Sequence, residues 1–143
     1  MKKIYLDNCC YNRPFDDQSQ LKIQLETLAK LHIQKEIRNG VYELVWSYVL
    51  DYENAVNPFE ERRLSIEPWR GIAKQIITEN EDIILFAEVL KKEGIKTFDA
   101  LHISCAVNAG CDYFITTDKK LLNHSSDRIN ILDPLRFISE QEV

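Results

Sequence analysis

The 143 residues combine 45% hydrophobic with 29% charged content and a formal net charge of −5, enough apolar material for one domain with a continuous core. No run approaches the roughly twenty apolar residues of a bilayer span, and the start lacks the succession of a signal peptide, so a cytoplasmic protein with no membrane partner is expected. The acidic balance, without any long basic block, argues against a plain nucleic-acid-binding module. Cys9, Cys10, Cys105 and Cys111 show neither Cys-x-x-Cys nor zinc-finger spacing, so neither a disulfide framework nor a zinc site is indicated.

In chain order, Ile4-Tyr5-Leu6 reads as a strand that gives way at Asp7. A turn-rich stretch from Asn8 to Asp17, with Pro14, leads to a predicted helix from about Ser19 to Arg38. Its apolar positions Ile23, Leu28, Leu31 and Ile37 lie near helical spacing, and Asn39-Gly40 stops it. A second strand, Tyr42 to Trp46, hands over at Ser47, a suitable cap, to a helix from Tyr48 to about Val56. Asn57-Pro58 interrupts, another helix runs from Phe59 to a break at Pro68, and Trp69 to Thr78 and Ile83 to Lys92 read as further helical pieces. From Thr97 a helix of roughly thirteen residues carries Asp99; after Gly110 a strand of about six residues climbs from Tyr113 to Asp118. Lys119 to Leu122 forms a short helical turn, Ile129 to Leu132 a last strand, and Asp133-Pro134 starts a terminal helix.

Alternation of this kind predicts an α/β fold, a mostly parallel sheet with helices on its faces, because parallel strands need crossover connections. Ligands of such sheets lie beyond the carboxyl ends of the strands. Asp7 and Asp118 occupy that edge directly. Asp99 joins them because its helix and the following strand are each about 20 Å long and run in opposite directions. Glu53 sits in the second turn of the helix after the second strand.

Taken singly, each acid has an ordinary structural use. Asp99 suits a helix dipole, Asp118 can cap the Lys119-Lys120 turn, Asp7 can order its loop and Glu53 can face solvent. Together, carboxylates on one rim repel, and without a cation some must take up protons at neutral pH. Mg²⁺ or Mn²⁺ resolves the conflict with oxygen ligands, and such ions activate water and stabilise the leaving oxygen in phosphodiester hydrolysis.

The motifs Leu6-Asp7-Asn8, Ser47 with Glu53 six positions on, Asp99-Ala100-Leu101-His102 and Thr116-Thr117-Asp118 resemble, in order and spacing, those of the PIN-domain ribonucleases, including VapC-type toxins. The resemblance covers nearly the whole chain. It implies a three-layer α/β/α sandwich and a Mg²⁺- or Mn²⁺-dependent endoribonuclease leaving a 3′-hydroxyl and 5′-phosphate. Asp7, Glu53, Asp99 and Asp118 would bind the metal, RNA would be the substrate, a protein antitoxin a partner, and a homodimer the common assembly. A catalytically weakened scaffold that binds RNA or protein is the alternative.

Asp51 competes with Glu53 as the second acid, since a two-residue offset puts them on different helix faces. Vicinal Cys9-Cys10 replaces the Thr or Ser usual after the first acid, while Asn8 remains able to donate there. Ser47 and Thr117 are supporting candidates, Thr117 for a metal-bound water or phosphate. Arg13, Lys119 and Lys120 are candidate phosphate contacts. His102 is expected as a partly buried helix histidine rather than a general base, His32 and His124 have no evident partner, and Trp46 and Trp69 are assigned to the core.

Overall fold

The computed structural model describes residues 1–124 and 126–142. Five strands, β1 (Lys2–Leu6), β2 (Tyr42–Ser47), β3 (Gln75–Ile77), β4 (Tyr113–Ile115) and β5 (Asn130–Leu132), form one sheet in the order β3-β2-β1-β4-β5, and all four pairings are parallel. The helices between them are α1 (Asn8–Asn12), α2 (Leu21–Arg38), α3 (Tyr48–Ala55), α4 (Glu60–Ile66), α5 (Pro68–Ile72), α6 (Glu81–Lys92), α7 (Thr97–Asn108), α8 (Lys119–Leu122) and α9 (Pro134–Gln141).

Strand alternation sorts the helices into two layers. Tyr5, level with Val45 and Phe114, faces α7: its ring stacks on Phe114 at 5.4 Å and meets His102 edge-on at 5.7 Å. Ile4, Leu44 and Tyr113 point the other way, toward α9, whose buried Phe137 touches Tyr42 and Tyr113 at 5.1 Å each. The expected three-layer arrangement is therefore present. β1 lies at the centre, with β2 and β3 on one side and β4 and β5 on the other, so the connection from β3 to β4 jumps across it. The C-terminal ends of β1 and β4 flank this reversal, the place where open α/β sheets form a crevice.

Four local readings need correction. The stretch after Asp7 is α1 followed by a 3₁₀ turn, Arg13–Phe15, rather than irregular chain. The helix predicted for Trp69 to Thr78 ends at Ile72; Ala73 is extended, Lys74 N–H donates to Leu44 O at 2.9 Å, and Gln75–Ile77 adds an edge strand to β2. Two isoleucines suit a pleated, half-buried surface, and pairing with β2 overrode the helical pattern. β4 has three residues rather than six, although Thr116 N–H still donates to Leu132 O at 3.0 Å.

The fourth correction concerns α2: of its expected apolar positions Ile37 is buried, but Leu28 and Leu31 are not. Leu28 and Leu31 are 65% and 47% exposed, whereas Glu26, Lys30 and Gln34 are buried with Ile33 and Ile37. The inward face meets α1 and the turn behind it, where Arg13 pairs with Glu26 at 3.4 Å and Lys30 stands over the Tyr11 ring at 5.9 Å. Local partners thus make burial of Glu26 and Lys30 tolerable, whereas the buried Gln34 Nε2 has no hydrogen-bond partner among the described residues. Burial lowers the Lys30 amine to about 8.

Candidate active site

Asp7, Glu53, Asp99 and Asp118 line one open cleft of about 310 Å³ at the carboxyl edge of the sheet, beside Asn8 and Cys9. Each acid arrives on a different element. Asp7 follows β1 and caps α1, accepting from the Asn8 N–H at 2.8 Å through Oδ1. Its Oδ2 accepts from the Thr116 hydroxyl at 2.7 Å, and Asp7 N–H donates to Ile115 O at 2.9 Å, so β1 and β4 together fix it. Asp118 caps α8, accepting from Lys120 N–H at 2.8 Å. Asp99 lies in the first turn of α7 and Glu53 in the second turn of α3.

The alternative second acid is placed elsewhere. Asp51 accepts from Trp46 Nε1 at 2.8 Å and Arg70 Nε at 3.1 Å, in a separate cavity of about 480 Å³. Glu53 turns toward the cleft, where Asn8 Nδ2 donates to its Oε2 at 3.4 Å and His102 Nε2 meets its Oε1.

Electrostatic strain gathers on Asp99. Burial and the charges of Asp7, Asp118 and Glu53 raise its carboxyl from 3.8 to about 6, against a weaker opposing pull from His102. Burial alone would push the His102 imidazole down, but the hydrogen bond to Glu53 and the nearby carboxylates outweigh it and hold it above its ordinary value. Among the described residues, no three Asp, Glu, His or Cys side chains stand close enough as placed to hold one ion; the four carboxylates share the cleft lining with a fifth, Asp16, which pairs with Arg13 and Arg62. Their donor set consists of oxygens, with no lysine or arginine among the cleft-lining residues. That chemistry fits a hard divalent cation.

Several supporting candidates have other placements. Ser47 is fully buried, caps α3 and lies 2.6 Å from the Tyr5 hydroxyl, so it does not reach the cleft. Thr117 is also buried; the neighbouring Thr116 is the threonine whose hydroxyl serves Asp7 and accepts from Asp118 N–H at 3.1 Å. The first threonine of the Thr-x-Asp motif was the available signal. Arg13 is committed to Asp16 and Glu26, while Lys119 and Lys120 are exposed beside Asp118. His102 is wholly buried, and His124 pairs with Glu93 at 3.4 Å, contrary to the reading that it has no partner. Trp46 and Trp69 are buried in the core.

Cys9 belongs to the segment after Asp7 in which this chain departs from the Thr or Ser of the resemblance. Its half-buried thiol lies 3.4 Å from both Asp7 Oδ2 and Thr116 Oγ1. The other three cysteines are buried, and burial pushes the Cys105 and Cys111 thiols up to about 12. Brief iodoacetamide treatment is therefore expected to alkylate Cys9 first, read by peptide mass spectrometry, and to abolish divalent-ion binding at the cleft. Earlier labelling of Cys111 would contradict this placement.

No protein-family model matches the sequence, and comparison with curated proteins finds no match. Among solved structures, the chain is similar to one in DNA-bound VapBC from Salmonella typhimurium, with TM-score 0.59 and 15% identity, covering 94% of this chain and 99% of that one. It is also similar to one in VapBC2 from Rickettsia felis bound to a promoter DNA fragment, with TM-score 0.56 and 13% identity, covering 90% and 96%. At these identities the likeness is one of fold, and the architecture of this chain is the PIN-like α/β fold, built on a parallel five-stranded sheet.

Proposed function

We propose that the protein is a Mg²⁺- or Mn²⁺-dependent endoribonuclease, the toxin of a toxin–antitoxin pair acting in the cytoplasm. The observation that carries this reading is the meeting of Asp7, Glu53, Asp99 and Asp118, from four separate elements, in one cleft at the sheet's reversal point. These four residues would hold the metal. When bound, it supplies charge neutralisation, a lowered pKa for coordinated water and stabilisation of the departing oxygen.

The chain's own contribution is to fix the acids before substrate arrives. Thr116 and the Asn8 N–H hold Asp7, the α8 N-terminus holds Asp118, and His102 with Asn8 holds Glu53. Asn8 is itself anchored, since Asn12 Nδ2 donates to its carbonyl at 3.0 Å and Asn57 Nδ2 donates to Asn12 Oδ1 at 3.1 Å. Exposed Lys119 and Lys120 stand where an RNA backbone entering the cleft meets positive charge.

The structural neighbours belong to VapBC complexes, which supports a protein antitoxin as partner, with a basic side chain seated among the acids. A homodimer is part of the same reading. Beside the cleft, Tyr52 and Phe98 stack at 5.5 Å and are 54% and 45% exposed, an apolar surface suited to a copy-to-copy contact.

The test is cleavage of structured and single-stranded RNAs in Mn²⁺, Mg²⁺ or EDTA by the purified protein and its Asp99→Asn variant. Cleavage that needs metal and falls at least about 100-fold in the variant is expected, in keeping with loss of preorganised charge at a reacting phosphate. Equal cleavage by both proteins, or cleavage unaffected by EDTA, would sink the proposal.

A further inference from the structure

Glu53 is tied to the core through a chain of buried side chains, and the histidine at the end of that chain also lies 3.9 Å from Asp7 Oδ1. Behind Glu53, Leu50 N–H donates to Ser47 Oγ at 3.3 Å, Ser47 Oγ lies 2.6 Å from Tyr5 Oη, Tyr5 Oη lies 2.5 Å from His102 Nδ1, and His102 Nε2 meets Glu53 Oε1. Tyr5, Ser47 and His102 are at most 1% exposed.

The polarity of this chain follows from what each atom can do. A carboxylate only accepts, so His102 Nε2 carries the hydrogen directed at Glu53. In the neutral ring, Nδ1 then presents a lone pair, which accepts from the Tyr5 hydroxyl. The Tyr5 oxygen in turn accepts from the Ser47 hydroxyl, and Ser47 accepts from Leu50 N–H. With the ring neutral, every donor points in one direction, from the first turn of α3, through β1 and α7, back to Glu53 on the second turn of α3; with the ring protonated, Nδ1 donates to the Tyr5 oxygen instead and the Nε2 contact to Glu53 is kept. Tyr5 stacks on Phe114 and packs edge-on against His102, so the intermediate links are held by the sheet. A glutamate has three rotatable side-chain bonds, and restraining it in advance removes the entropy of ordering it when a ligand binds.

We propose that Tyr5 and His102 are positioning residues, which hold the Glu53 carboxylate on the cleft by a one-directional hydrogen-bond chain anchored at the N-terminus of its own helix. This rests on the reading of Glu53 as a metal ligand. A network serving only the fold would lower the melting temperature when broken and leave ion affinity alone; a positioning network changes the affinity itself.

The experiment measures Mn²⁺ binding by titration calorimetry at fixed pH on the whole protein and on Tyr5→Phe, His102→Gln and His102→Asn, with cooperative melting in EDTA confirming that each is folded. Tyr5→Phe keeps the stacked ring and removes one hydroxyl. It is expected to weaken Mn²⁺ binding about 10-fold, the lower end for loss of an outer-shell partner. His102→Gln, whose amide can still donate toward Glu53, should retain more affinity than His102→Asn. Tyr5→Phe decides the matter if the histidine variants fail to fold. Wild-type affinity in folded Tyr5→Phe would overturn the positioning role while leaving the metal site intact. Absence of Mn²⁺ binding in the wild-type protein would overturn the nuclease reading and this inference with it.

Discussion

Asp99→Asn is expected to melt roughly 3 to 8 °C above the unsubstituted protein at pH 7.5 in EDTA, while losing nuclease activity. In the folded protein the Asp99 carboxyl is raised to about 6 from 3.8, chiefly by burial and then by Asp7 and Asp118. The folded state therefore binds this proton more tightly than the unfolded chain does. Above pH 6 the group is ionised in both states and the fold bears the whole cost, roughly 1 to 3 kcal/mol once partial exposure is allowed for. Below pH 4 it is protonated in both states and the cost is gone, so this contribution to metal-free stability improves as pH falls from 6 toward 4. Asparagine removes the charge at nearly constant volume. It also forfeits a favourable interaction with the N-terminus of α7, a few tenths to 1 kcal/mol, which is smaller than the strain relieved. Thermal scans of both proteins at pH 7.5 and 4.5 check the result. An advantage of the variant that is absent at pH 7.5, or no smaller at pH 4.5, would show that Asp99 bears no such strain.

The same crowding explains why the site was partly legible in the sequence. Asp7 and Asp118 stand at the ends of apolar runs, and Asp99 opens a helix about as long as the strand that returns from it, so chain order and element length brought them to one edge. Glu53 and Asp51 could not be separated that way. What distinguishes them is the Trp46 indole and Arg70 claiming Asp51, contacts from β2 and α5 that local pattern does not encode. His102 was underestimated for a related reason: its neighbours Tyr5 and Glu53 are distant in sequence, and only the fold makes it a link between core and cleft.

Two of the misread segments, α1 and α2, share a physical cause. On α2, leucines at helical spacing predict an inward face at Leu28 and Leu31, yet the helix turns Glu26, Lys30 and Gln34 inward. Arg13 opposite Glu26 and the Tyr11 ring beneath Lys30 belong to the segment after β1, which sequence pattern had left without regular structure. An error in one short element thus hid the partners that decide the orientation of a long one. β3 was missed because three residues are too few for alternation to show, and its pairing with β2 supplies the stabilisation that local preference lacks.

Mn²⁺ is expected to raise the melting temperature of the unsubstituted protein at pH 7.5 and to do so progressively less as the pH is lowered through 6. At a concentration 100 times its dissociation constant, a ligand of the folded state alone contributes about 2.7 kcal/mol, which for a chain of this size corresponds to a rise of roughly 5 to 10 °C. The sign of the pH effect follows from Asp99. Its carboxyl, at about 6 without metal, must be ionised to act as a ligand, so protons compete with the ion below that value and binding near pH 6 releases a proton. Above pH 7 the competition vanishes and affinity levels off with respect to this group. Calorimetric titrations in two buffers of different ionisation enthalpy at pH 6 measure the released proton directly. Asp99→Asn separates this effect from other titrations: its residual Mn²⁺ stabilisation should be smaller at pH 7.5 and should fall less between pH 7 and 6, the remaining slope belonging to His102, whose imidazole is bonded to Glu53 and held above its ordinary value. Equal stabilisation of both proteins at every pH would place the ion elsewhere and leave the repulsion at Asp99 without its proposed purpose.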